Sequence, residues 1–220
     1  IMASERSEMG FDLAAMAASS GLSGCSVANS PYDSDFAMGY PQQCMLYTFL
    51  RSLAPNKPVV NFGDGVISYG PGDVPPTYDY VRGAMWEAAM AGLNASALDV
   101  QDILALPECL DGYATASLDL NRLGGVVTAF QNAPAEMAIL WSSSSTIFRN
   151  GEPHLDSVRY AFEGCSFAGY NVRFITEEQC AAGGLADVKV LVLPDTPALT
   201  DAAFAAIKDY VEQGKTLVRT

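Results

Sequence analysis

The sequence predicts an α/β fold with mainly parallel strands, and three observations predict it. Short apolar, β-branched runs alternate with longer segments of helical periodicity through most of the chain. In the second half the order strand, helix, strand, strand, helix, strand is that of a doubly wound sheet built with right-handed crossovers. In the first half, Lys57-Pro58-Val59-Val60-Asn61-Phe62 is an apolar run that stops abruptly at Gly63-Asp64-Gly65, as a buried parallel strand does where it meets a loop. Asp64 thus stands at the C-terminal end of a strand, where α/β enzymes keep their chemistry.

Taken in order, the Ala-rich segment Phe11 to Ala18 favours a helix, with Gly21 as its stop. Cys25 to Ala28 is a short strand, and Pro31-Tyr32-Asp33-Ser34-Asp35 a polar loop at its end. Met38 to Leu53 is the next helix: Met45, Tyr47, Phe49, Leu50 and Leu53 fall at helical spacing before Pro55 breaks the pattern. After the Lys57 strand, Gly65 to Pro76 is a long Gly- and Pro-rich loop carrying Tyr69, of a length that in compact domains is often functional. Tyr78 to Gly92 is a helix, Ala95 to Val100 a strand, Asp102 to Gly112 a loop, and Tyr113 to Gln131 a long helix weakened by Gly124-Gly125.

Asn132-Ala133-Pro134-Ala135 is a natural linker, which sets two domains at 1–133 and 134–220. Beyond it the pattern is cleaner. Met137 to Trp141, Val172 to Ile175, Val188 to Leu193 and Thr216 to Val218 are strands; Leu155 to Ala168 and Asp201 to Gln213 are helices, the second capped by Thr200 and ended by Gly214.

The composition excludes several classes of function. With a net charge of −13 and no Lys/Arg cluster, the chain cannot replace the counterions of a nucleic-acid backbone, and it offers nothing to an anionic membrane surface. No apolar run approaches the roughly 20 residues of a membrane span, and the first residues lack the pattern of a signal peptide. Five widely spaced cysteines and a single histidine form neither a disulfide framework nor a zinc site. Free thiols in a reducing, cytoplasmic compartment are expected instead. A chain that opens at Ile1 and ends at Thr216-Leu217-Val218-Arg219-Thr220, a strand without its loop, is expected to be an internal fragment of a longer protein.

Several segments together resemble a known family. Asn121-Arg122-Leu123, Asn132-Ala133-Pro134, Met137-Ala138-Ile139-Leu140-Trp141-Ser142, Phe174-Ile175-Thr176-Glu177, Lys189 to Pro194 and Tyr210 to Val218 are similar, in this order, to the region of family 42-like glycoside hydrolases where the catalytic barrel passes into the trimerisation domain. The resemblance covers most of the chain and is strongest from about Tyr78 onward. It implies the C-terminal part of a (β/α)8 barrel followed by a flavodoxin-like association domain similar to a class I amidotransferase domain. A whole barrel takes roughly 250 residues, so the front half would lie upstream.

The activity so implied is retaining hydrolysis of β-galactoside-like bonds by two carboxylates about 5 Å apart, with no cofactor and no metal. The general acid would lie upstream of Ile1, which leaves an isolated fragment inactive. The nucleophile would close the Lys57 strand. Relatives carry a glutamate there; this chain has Asn61-Phe62-Gly63-Asp64, and Asp64 is the nearest carboxylate. Asn29, Tyr32, Tyr69 and Asp99 are the candidate substrate-binding residues, Asp99 standing where relatives tend to place a tryptophan. The partners implied are a carbohydrate and, in a homotrimer, copies of the chain. A non-catalytic carbohydrate-binding or assembly protein on the same scaffold is the alternative.

Other constellations have plainer explanations. Trp86 lies within a helix and is expected to pack. Gly164-Cys165-Ser166 is no nucleophile elbow, and His154 is expected to be exposed or to cap a helix. Ser142 to Thr146 follows a strand as a flavin-phosphate loop would, but the next helix is expected only near Leu155, which makes the run a solvated loop. Glu177, Glu178 and Asp195, at strand ends, are expected to cap the next helix or face water and not to hold a metal.

Overall fold

The computed structural model describes residues 13–26, 41–62, 75–97, 105–148 and 152–220. The chain groups into two compact units. One comprises Gly21–Arg51 and Pro55–Ala133; the other comprises Pro134–Thr220 with Ser52–Ala54 and the N-terminal segment through Ser20, which holds α1 (Leu13–Ser19).

The first unit carries a parallel sheet of β1 (Ser23–Cys25), β2 (Val59–Asn61) and β3 (Ala95–Ser96), in that order. Cys25 pairs with Asn61 and Asn61 with Ser96, so the three strands end abreast. Helices α2 (Pro41–Leu53) and α3 (Tyr78–Ala91) connect them, and α4 (Pro107–Arg122) and α5 (Gly124–Gln131) follow. This alternation of parallel strand and helix is that of consecutive units of a (β/α)8 barrel. β1 begins two residues earlier than the sequence suggests, and residues 27 and 28 of the expected strand lie outside the described part.

The ends of α3 follow from its sequence. Thr77 Oγ1 accepts from the Tyr80 amide at 3.3 Å, and Val81, Ala84, Ala88 and Ala89 bury one face. Gly92 ends the helix at φ 118°, where a Cβ would lie 2.9 Å from the Arg51 Cδ. Arg51 is held by its own bonds, Nε to the Gln131 carbonyl at 3.2 Å and Nη2 to Asn132 Oδ1 at 2.6 Å. Gly92→Ala therefore strains the backbone and pushes on an anchored side chain. A loss of about 2 kcal/mol is expected in urea unfolding; a change below about 0.5 kcal/mol contradicts this account.

The expected loop at 102–112 and the long helix after it need correction. α4 begins inside that segment, at Pro107, and the helical stretch breaks at Leu123. The start signals were local: proline suits the first helical turn because its missing N–H has no partner there, and Glu108 complements the helix dipole. Gly124-Gly125 then opens α5 as a separate helix, at a place where helix propensity is weakest.

The second unit is a four-stranded parallel sheet of β4 (Met137–Trp141), β5 (Val172–Thr176), β6 (Val190–Leu193) and β7 (Thr216–Arg219), ordered β5-β4-β6-β7. All three pairings are parallel, and the order is flavodoxin-like. Alternation along the strands sorts the core into two layers. Ala138, Leu140, Ile175, Leu191 and Leu193 pack with Cys180, Leu185, Val188, Ile207 and Tyr210 on one face, covered by α8 (Glu177–Ala181) and α9 (Asp201–Glu212). Ile139 and its register partner Phe174 face the other way, where Phe162 of α7 (Glu152–Phe167) stacks on Phe174 with centroids 5.7 Å apart.

Two short helices were absent from the sequence reading. α6 (Ser143–Phe148) replaces the solvated serine loop, and α8 follows β5 directly through a capping box in which Thr176 and Gln179 satisfy each other's backbone amides. Among the described residues, no helix is long and apolar enough to cross a membrane.

Candidate functional site

In the first unit the C-terminal ends of β1, β2 and β3 bring Cys25, Asn61 and Ser96 side by side. Asn61 is fully buried and donates from Nδ2 to Tyr47 Oη at 3.0 Å, which ties the end of β2 to α2. Burial pushes the Tyr47 phenol far above its ordinary range, so it stays neutral and serves as a fixed hydrogen-bonding post. The amide of Phe62 still donates to the Cys25 carbonyl, and that of Ala97 to the Asn61 carbonyl at 2.9 Å. The Phe62 ring, half exposed, stands at this edge.

Asp64, the candidate nucleophile, and Asn29, Tyr32, Tyr69 and Asp99, the candidate substrate-binding residues, all lie outside the described residues. In sequence, each follows one of the three strands whose ends meet at Asn61. α3 and α4 begin on the loops that follow β2 and β3. Between their first turns lies an open cavity of about 450 Å³ lined by Thr77, Tyr78, Asp79, Pro107, Glu108 and Asp111. Its three carboxylates disfavour an anion and offer acceptors to a neutral, hydroxyl-rich ligand.

Cysteine chemistry is not supported here. All five cysteines are free. Burial pushes the thiol of Cys25 up to about 11 and those of Cys44 and Cys180 up to about 12, far from thiolates at neutral pH. Among the described residues, no cluster of three or more His, Cys, Asp or Glu side chains is placed to hold a metal ion.

The second unit holds a buried polar network at the C-terminal ends of its strands, and it corrects three expectations. Glu177, expected to cap a helix or face water, is buried. Its Oε1 accepts from Ser142 Oγ at 2.8 Å and the Ser144 amide at 3.0 Å; its Oε2 accepts from the Thr200 amide at 2.7 Å and Ser144 Oγ at 3.1 Å. Burial alone raises the carboxyl, but these hydrogen bonds outweigh it and hold Glu177 below the ordinary carboxylate range. Ser142 and Ser145, expected in a solvated loop, are also buried. Ser142 caps α6 by accepting from the Ser145 amide at 2.9 Å, while Ser145 Oγ donates to the Ala198 carbonyl at 2.7 Å.

His154, expected to be exposed or capping, is 1% exposed. The Ser142 amide donates to its Nε2 at 3.1 Å, so that nitrogen carries no proton; Nδ1–H therefore donates to the Pro194 carbonyl at 2.8 Å. Burial, outweighing the nearby backbone carbonyls and the charges of Asp195 and Glu177, holds the imidazole below its ordinary range. With both nitrogens engaged, His154 is a neutral brace between β4 and the end of β6, not a base. The local signals for this network were present: a Ser-x-x-Ser cap after β4, and Thr-Glu-Glu-Gln after β5. Their convergence was not.

With both strand edges described, the structure compares over 96% of the chain with a crystal structure of an apo exo-carrageenase GH42 from Bacteroides ovatus, at a TM-score of 0.79 and 20% sequence identity. The fold is similar to that of part of this exo-carrageenase. The chain spans 32% of that enzyme's length. A weaker likeness, with a TM-score of 0.47 and 15% identity over 79% of this chain and 47% of the other, is to a GH5_18 from Bifidobacterium longum subsp. infantis. No protein-family model matches the sequence, and no curated protein matches it. The α/β architecture with parallel sheets, part of a barrel followed by a flavodoxin-like unit, agrees with the fold that the resemblance implied.

Proposed function

We propose that this chain is the C-terminal part of the barrel, with the association unit, of a retaining glycoside hydrolase acting on β-galactoside-like bonds. The observation that supports this reading is the likeness to an exo-carrageenase GH42 over nearly the whole chain. Asp64, beyond the end of β2, is the nucleophile. It attacks the anomeric carbon as the bond to the leaving oxygen breaks, a general acid from a part of the barrel outside this chain protonates that oxygen, and water then releases the sugar from the aspartyl ester. Asn29, Tyr32, Tyr69 and Asp99 hold the sugar, and the flavodoxin-like unit joins copies into a trimer.

Assay of the longer protein with aryl β-galactosides and carrageenan oligosaccharides tests this. Asp64→Asn is expected to lower kcat by more than about a thousandfold, and a slow fluorosugar substrate is expected to leave its mass on the peptide containing Asp64. Undiminished turnover by Asp64→Asn refutes the assignment of the nucleophile.

A second reading has its own observation. The matching place lacks a glutamate, and an aspartate is one methylene shorter, a displacement of about an ångström that can cost on the order of a hundredfold in rate. On this reading the scaffold binds carbohydrate without cleaving it. Calorimetric binding of the same sugars by a longer protein that releases no product favours it.

A further inference from the structure

In a doubly wound sheet, ligands bind in the crevice beyond the C-terminal ends of the strands, where the chain order reverses. Here that place lies between β4 and β6, since the chain passes from β4 outward to β5 and then returns to the other side. Phosphates are held at such crevices by backbone amides and Ser/Thr hydroxyls of the loops after the strands. The same kind of donors converge in the second unit. Ser142 and Ser144 follow β4, and the Thr200 amide comes from the segment between β6 and α9.

These four donors do not await a ligand. They hold the carboxylate of Glu177, which reaches in from the end of β5 and takes two hydrogen bonds on each oxygen. No salt bridge to Glu177 is found among the described residues, so neutral dipoles alone bind the charge. That is how proteins bind free oxyanions. The floor of the crevice is closed as well: His154 spans from the Ser142 amide to the Pro194 carbonyl, and Ser145 bridges to Ala198.

We infer that the crevice of the flavodoxin-like unit is an oxyanion site permanently filled by the chain's own Glu177, and that emptying it creates a site for a small carboxylate. The inference is independent of the glycosidase reading. On this inference the unit is expected to take no flavin or phosphate although its topology suits one, because the position a phosphate would occupy carries a tethered negative charge.

Chemical rescue tests it on the full chain. Glu177→Ala removes one methylene and one carboxylate, which are the atoms of acetate. The variant is expected to lose about 10 °C in Tm, as the Ser144 amide and hydroxyl and the Thr200 amide lose their acceptor and the Ser142 hydroxyl is left with the Ala198 carbonyl at 3.0 Å. Sodium acetate is expected to restore at least half of that loss, saturably, while sodium chloride at equal ionic strength does not, and acetate leaves the wild-type Tm unchanged. Glu177→Gln, which keeps the volume and loses the charge, is expected to be destabilised without acetate rescue. If Glu177→Ala fails to fold, its refolding yield in acetate against chloride carries the same readout. Equal effects of acetate and chloride on Glu177→Ala, in Tm or in refolding yield, overturn the inference. So does saturable binding of FMN or inorganic phosphate by the wild-type chain.

Discussion

Replacing His154 by phenylalanine is expected to destabilise the second unit by about 1–3 kcal/mol, because the buried Ser142 amide loses its acceptor, while the Pro194 carbonyl keeps the Thr196 hydroxyl at 2.8 Å. An aromatic ring is kept, one atom larger, so the edge contact with Trp141, at 6.1 Å between centroids, can persist. The loss is therefore chiefly polar. His154→Gln, which can still donate and accept across the gap, is expected to recover part of it. Urea unfolding followed by circular dichroism measures both variants, and a loss below about 0.5 kcal/mol for phenylalanine contradicts the bracing role.

Acid is expected to weaken the same unit in two stages. His154 is held below its ordinary value of 6.5, chiefly by burial. The unfolded chain therefore takes up a proton that the folded chain refuses, so its contribution is complete above pH 6.5 and is lost as pH falls through the folded value. Glu177 is held below its ordinary value of 4.5, as the hydrogen bonds on its carboxylate outweigh burial. Its contribution is complete above pH 4.5 and is lost as pH falls through its own folded value. Stability should decline gently below pH 6.5 and more steeply below 4.5. In His154→Phe the first stage should disappear and the second remain. A wild-type stability that is level from pH 7 to below pH 4 contradicts both assignments.

The two stages also bear on the wider fold. The network they titrate joins the ends of β4, β5 and β6 to the starts of α6, α8 and α9, so it sets the register in which apolar faces such as Leu140, Ile175 and Leu193 meet the helices. A buried carboxylate held only by neutral donors is costly to form and costly to break. Its worth to the chain is a single arrangement of loops above the sheet.

The sheet elements were legible because their signals are local. Met137–Trp141, Val172–Thr176 and Val190–Leu193 are largely apolar runs of strand length, and Thr200 and Gly92 mark helix ends by capping chemistry and by glycine's tolerance of positive φ. α6 and α8 were not legible, since helices this short have almost no propensity of their own and exist because tertiary partners satisfy their ends. The start of α4 was missed because Pro107 reads as a loop signal as readily as a first helical residue, and only its pairing with Glu108 argues for the helix.

By itself, the sequence determined that this protein is an α/β chain with parallel strands, that a strand ends near Asp64 with no glutamate beside it, and that the chain is strongly acidic. These follow from periodicity, composition and the order of residues. Only the tertiary structure decided that Glu177, Ser142, Ser144 and His154 form one buried unit. They lie up to 35 residues apart in the chain, and the donors that make a buried charge tolerable come from two strand ends while the carboxylate comes from a third. Whether a carboxylate faces water or becomes an internal ligand depends on which groups the fold brings to it, and hydrogen-bond geometry in a low dielectric is a property of that convergence alone.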